Sequence, residues 1–244
     1  MMTARATSWG VAALCALAVA TTATAGSFSI SPIRVEFSGR DRVQVLTVRN
    51  EEPRSVVVQV RTVAWSQEAG SDRLEDTREL LATPPVFTLP AKGQQIIRIA
   101  LRRAVDPERE LSYRLLLDEV PQPPSADFTG LQVALRLSLP VFVQPARRAS
   151  AALVWNAAWQ SDGHIRIKVR NEGSAHAQVL DFAVQAAGDA LMSLHNSVAR
   201  YVLPGSEAEW LLDVPEGVVR SGLLRIHGAS DQGDFSAEFP ATLP

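Results

Sequence analysis

Cysteine is all but absent: Cys15 is the single thiol in 244 residues, and it lies inside an N-terminal apolar run. That excludes a disulfide framework and any zinc site built on thiolates. Lysine is nearly as scarce. Lys92 and Lys168 are the two lysines among 24 basic residues, so the other 22 are arginine. Catalytic signatures are missing as well, with no GxSxG elbow, no phosphate-cradling glycine loop and no dinucleotide fingerprint. His164, His176, His195 and His227 show no metal-ligand spacing and read as surface or partly buried residues with local partners. A formal charge of −2 gives no electrostatic reason to expect nucleic acid or an anionic membrane as partner. The expectation is a protein that is not an enzyme, carries no cofactor or metal, and is held together by burial alone.

What is present begins with an export signal. Arg5 precedes the apolar run Val11 to Ala20, and Ala23-Thr24-Ala25 is a small-residue cleavage pattern, so residues 1–25 read as a signal peptide cut after Ala25. The apolar run is too short for a membrane span of about twenty residues, so the mature chain is not expected to insert into a membrane. Leu14 is a poor fit before a lipid-bearing Cys15. The remaining length suits two ordinary domains.

Period-two alternation dominates the rest. Ser27 to Phe37 reads as a strand interrupted by Pro32. Val43 to Val48 and Val56 to Val63 read as a hairpin around Asn50-Glu51-Glu52-Pro53, followed by a polar loop from Ser66 to Glu79. Thr83 to Pro90 is extended, because proline disfavours helix at and before its own position. Gln95 to Leu101 and Tyr113 to Val120 are further strands. Pro145 to Ser150 is the best linker, after which strand patterns restart at Leu153, His164, Gln178, Tyr201, Glu209 and Leu223. The fold class is therefore all-β: two immunoglobulin-like sandwiches, residues 26–145 and 146–244. A short Val-Arg-Asn turn occurs in each, at Val48 to Asn50 and Val169 to Asn171.

Leu131 to Pro145 is the most informative stretch. Leu131, Val133, Leu135, Leu137, Leu139, Val141 and Val143 occupy every odd position. One long strand with an aliphatic face follows, about twice the usual length of five or six residues. Pro140 suits an edge better than the middle of a ladder. A long apolar edge invites aggregation unless this chain or another protein covers it.

The text YRLLLDEVP, a loop, and then the alternating strand ending in FVQP resembles the periplasmic pilus-assembly chaperones, the PapD-like family. The spacing from PPVF to DEVP is most similar to its archaic branch, associated with spore-coat-U-like subunits. The resemblance implies two Ig-like domains at an angle, a periplasmic location, and pilus subunits and an outer-membrane usher as partners. It implies that Leu131, Val133, Leu135 and Leu137 are lent to a subunit as a donor strand, and that the free protein can self-associate. A cationic pair in the family's interdomain cleft holds the subunit's terminal carboxylate. SPIRVEF matches the arginine at Arg34. The family's lysine falls at Pro140, and Arg136, four positions earlier on the same face, is the available substitute. Motifs around Arg98, Glu119 and Asp231 resemble a family triad that joins the two domains.

A secreted adhesin or carbohydrate-binding module is the alternative. It would place aromatics on exposed loops, whereas Trp65, Trp155, Trp159 and Trp210 mostly sit in strand-like runs.

Overall fold

The computed structural model describes residues 28–121, 133–186, 193–217, 220 and 222–243. The expected signal peptide and Leu131 lie outside them. Among the described residues every regular element is a strand.

The first half holds β1 (Phe28–Ser31), β2 (Val35–Phe37), β3 (Val43–Asn50), β4 (Val56–Glu68), β5 (Ser71–Asp76), β6 (Leu80–Thr83), β7 (Val86–Leu89), β8 (Gln94–Leu101), β9 (Leu111–Val120) and β10 (Arg136–Val143). One sheet runs β1-β3-β8-β6; the facing sheet runs β2-β10-β9-β4-β5, with β7 also paired to β4. Alternate residues from both sheets meet in one core, where Leu46, Val48, Ile97 and Ile99 from the first face Val58, Val60, Leu115 and Leu117 from the second. Alternation is thus what makes each strand amphipathic and lets two sheets close over a shared interior.

The second half holds β11 (Leu153–Trp159), β12 (His164–Asn171), β13 (Ala177–Ala186), β14 (Leu194–Asn196), β15 (Arg200–Val202), β16 (Glu207–Asp213), β17 (Leu223–Ser230) and β18 (Gly233–Thr242). They pair in the order β14-β13-β17-β18-β11-β12-β16, with β15 on β13. In a separate core Trp155 stacks on Trp210, and Phe182 meets both edge-on. All four tryptophans of the described residues are buried, so none of them stands on an exposed loop.

Four sequence expectations are corrected. β3 and β4 do not form a hairpin: β3 pairs with β1 and β8, and β4 with β9, β5 and β7. Both segments bury alternate residues, so either sheet satisfies their pattern; the Asn50 turn carries the chain across the sandwich instead. The polar stretch after Trp65 is no loop. β4 continues to Glu68 and returns as β5 through Ala69 and Gly70, both at positive φ, the geometry of a two-residue hairpin. Every residue of β5 is exposed, so no apolar period marked it. The long strand is shorter than expected, β10 spanning eight residues. Finally, β6, β14 and β18 lie where the sequence pattern marks no strand.

The two Val-Arg-Asn turns are built alike. Asn50 and Asn171 are both fully buried. Asn50 Nδ2 donates to the carbonyls of Arg54 and Pro90, and its Oδ1 accepts from the Glu52 N–H. Asn171 Nδ2 donates to the carbonyls of Ala175 and Val202, and its Oδ1 accepts from the Gly173 N–H. One asparagine ties together loops that would otherwise carry orphaned polar groups.

Candidate functional site: an open strand edge and the cleft at its end

β10 pairs with β9 along its whole length, from Arg136↔Asp118 to Val143↔Leu111. On its outer side β2 covers only Val141, Phe142 and Val143. From Arg136 to Pro140 that edge has no neighbouring strand among the described residues. Pro140 is the first uncovered residue, a position a side chain without an N–H tolerates. Beyond the strand, one further bond joins the Glu119 N–H to the Leu135 carbonyl at 2.9 Å.

Burial is graded along the odd positions. Leu139, Val141 and Val143 are buried, Leu137 and Leu135 are half-buried, and Val133 is 71% exposed. Leu137 packs on the first core beside an apolar gap lined by Phe28, Val48, Val58 and Leu117. The aliphatic row of the sandwich interior therefore emerges into solvent along an unpaired edge.

Arg34 stands at the other end of that edge. β2 and β10 run parallel with Val35 opposite Val141, so Arg34 is level with Pro140. Its Nε lies 2.9 Å from Glu36 and its Nη1 2.8 Å from Asp231. Burial works against its charge, but the two carboxylates more than restore it. Arg34 lines a cleft of about 660 Å³ between the two sandwiches, with Glu36, Glu110, Arg147, Arg148, His176 and Asp231.

The structure does not bring Arg136 to Arg34. Four residues of strand separate them, roughly 13 Å. Arg136 pairs instead with Asp118, which Arg61 also grips at 2.9 Å. Burial raises the Asp118 carboxyl, yet the two guanidiniums hold it below its ordinary value. The expected interdomain triad does not form either. Arg98 is exposed on β8, in the other sheet of the first sandwich. Glu119 lies near Arg54 and the Leu135 N–H. Asp231 alone of the three reaches the domain boundary.

Other residues hold that boundary. Glu110, leading into β9, accepts from His176 of the second sandwich through both the ring Nδ1 (2.7 Å) and the backbone N–H (3.1 Å). Asp231, in the β17–β18 turn, accepts from the Gln178 N–H at 2.8 Å and faces His176 Nε2 at 3.3 Å. Phe142 of β10 stacks on the His176 ring, centroids 3.5 Å apart. Trp65, Phe142 and Leu203 form a third apolar cluster with Tyr201 against it. Arg114 lies 3.6 Å above the Trp65 ring. Gln67 donates to the Tyr201 carbonyl and accepts from the Leu203 N–H, both at 2.9 Å. Sequence reasoning missed this set because its members come from distant segments. The one signal available was Phe142, a large aromatic on the otherwise small or polar face of an alternating strand.

Two Ig-like sandwiches meet at a cleft, and beside it runs an apolar strand edge that no described strand covers. Residues 27–149 match the pili and flagellar-assembly chaperone family, PapD N-terminal domain, and the chain belongs to that family. Solved structures agree in fold. A chain of the CsuC–CsuE chaperone–tip adhesion subunit pre-assembly complex, from the archaic chaperone-usher Csu pili of Acinetobacter baumannii, aligns at TM-score 0.65. It is 19% identical, with 88% of this chain and 99% of that one covered. The Salmonella enterica SafA pilin–SafB chaperone complex gives 0.59 at 18% identity, covering 88% and 97%. The Pseudomonas aeruginosa CupB2 chaperone gives 0.53 at 18% identity, covering 86% and 98%. A search among curated proteins found no match.

Proposed function

We propose that this pilus-assembly chaperone works in the periplasm by donor-strand complementation, holding a subunit whose own sandwich lacks a strand and passing it to an outer-membrane usher. The observation that carries the reading is the edge from Arg136 to Pro140, which no strand among the described residues covers, with the half-exposed aliphatic row beside it. An edge offers unpaired N–H and C=O groups, and alternate side chains reach into the subunit's exposed core. Leu131, Val133, Leu135 and Leu137 are the residues lent. Burying Leu131, Val133 and Leu135 contributes roughly 5–8 kcal/mol before ordering costs.

Arg34 is the carboxylate anchor. A strand lying parallel to β10 along its open part would end where β2 begins, and its terminal carboxylate would meet the Arg34 guanidinium. Arg136 is too far away to share that carboxylate and, paired with Asp118, braces the strand. Arg34→Glu should abolish capture of a co-expressed subunit while circular dichroism stays native. Normal co-purification of a folded variant would remove the anchor role.

A further inference from the structure

His176 occupies a position that one imidazole tautomer cannot satisfy. Its Nδ1 faces Glu110 Oε1 at 2.7 Å and its Nε2 faces Asp231 Oδ2 at 3.3 Å. A neutral ring carries one N–H, so one carboxylate would always confront a lone pair. An imidazolium donates at both nitrogens and meets both. The Asp231 contact is long and poorly directed, an ion-pair contact more than a hydrogen bond, and Nε2 has no other partner among the described residues. The ring is buried, so water cannot stand in for the missing donor. Stacking on Phe142 favours the charged ring as well.

The same Asp231 oxygen that faces His176 also accepts from Arg34 Nη1. We propose that His176 is a positioning residue for carboxylate capture: as an imidazolium it ties Glu110 of the first sandwich to Asp231 of the second, and its proton sets how much of Arg34's charge Asp231 takes up. This rests on Arg34 being the anchor. With the proton in place, Asp231 divides its charge between two cations and Arg34 keeps attraction for an incoming carboxylate. Without it, Asp231 turns its full charge on Arg34, and the cleft becomes one unit more negative. Tyr201 on β15 also faces the ring, centroids 5.8 Å apart; Glu36, Arg147 and Arg148 complete the charged lining. Carboxyl, phenol and guanidinium groups have ordinary pKa values well outside the range from about 6 to about 9, so His176 is the group in this lining whose charge a change across that range addresses. Burial opposes its charge, but Asp231 and Glu110 raise its pKa overall.

The test uses a peptide of alternating apolar and polar residues with a free C-terminal carboxylate, beside its amidated twin, titrated onto the purified chain. The free acid's advantage should fall about three- to tenfold from about pH 6 to about pH 9. His176→Gln should hold that advantage at its lower, high-pH level across the range and so flatten the profile; His176→Arg should hold it near the pH 6 level and remain flat. Ring chemical shifts of His176 should show an imidazolium near pH 6 in the unaltered protein. A neutral ring there, or a His176→Gln profile that still follows the unaltered one, overturns the inference. An imidazolium that titrates as expected, with no preference for the free acid at any pH, overturns the Arg34 anchor instead.

Discussion

Single residues carry more of this fold than their chemistry first suggests. Asn50 and Asn171 are themselves fully buried, and each satisfies several main-chain groups of the turn around it. Removing the amide strands those groups, at about 1–3 kcal/mol for each one left buried without a partner. Asn50→Ala is therefore expected to destabilise the first sandwich by about 2–4 kcal/mol. Denaturant unfolding monitored at Trp65 reads this, and a loss under about 1 kcal/mol would mean the turn re-forms without its tie. The repeated Val-Arg-Asn was legible in the sequence as a motif. The triad of Arg98, Glu119 and Asp231 was read from local text alone, and local text carries no information about which charges meet across a boundary. Glu110 and His176 sit in unremarkable segments and become a pair only because β9 and β13 begin on opposite sides of the cleft.

At the scale of elements, alternation exposed most strands because each has one wet and one dry face. It could not say which sheet a strand joins, hence the mistaken β3–β4 hairpin, and it had nothing to detect in the wholly exposed β5. β10 was legible for its face but not for its limits, since an open edge and a paired edge share one pattern. Position along that row yields a sharp contrast. Val133→Asp should shift the melting point little, because an exposed site seldom moves stability by more than about 0.5 kcal/mol. Val141→Asp, buried between β2 and β9, should prevent folding, because it leaves a carboxylate uncompensated in the core. Subunit capture should fail for both. Thermal melts of the two free variants, run beside a pull-down, decide it: a Val133→Asp melting point many degrees low would assign that residue to the protein's own core.

The whole molecule depends on how two independent cores are joined. Trp65, Phe142, Leu203 and Tyr201 supply apolar contact, Arg114 caps Trp65, and the Glu110–His176–Asp231–Arg34 chain adds a charged seam beside it. Trp65→Ala should cost about 3–5 kcal/mol, felt at the boundary as well as in the first sandwich, and split one calorimetric transition into two. The charged seam gives the coupling a pH window. Asp231 is burdened by burial, yet His176, the Gln178 N–H and Arg34 hold its carboxyl below the ordinary value. Its contribution is present above the unfolded value of about 3.9 and disappears as pH falls through the lower folded one. His176 has the opposite sign. Its raised pKa gives a contribution complete below about pH 6.5 and lost as pH rises through the folded value. Coupling between the sandwiches should be strongest from about pH 4 to about pH 6.5 and weaken on both sides. Calorimetry across that range should show one merged transition inside the window and separation outside it. A merged transition that persists unchanged well above pH 8, while His176 is neutral by its ring shifts, would assign the join to the aromatic cluster alone.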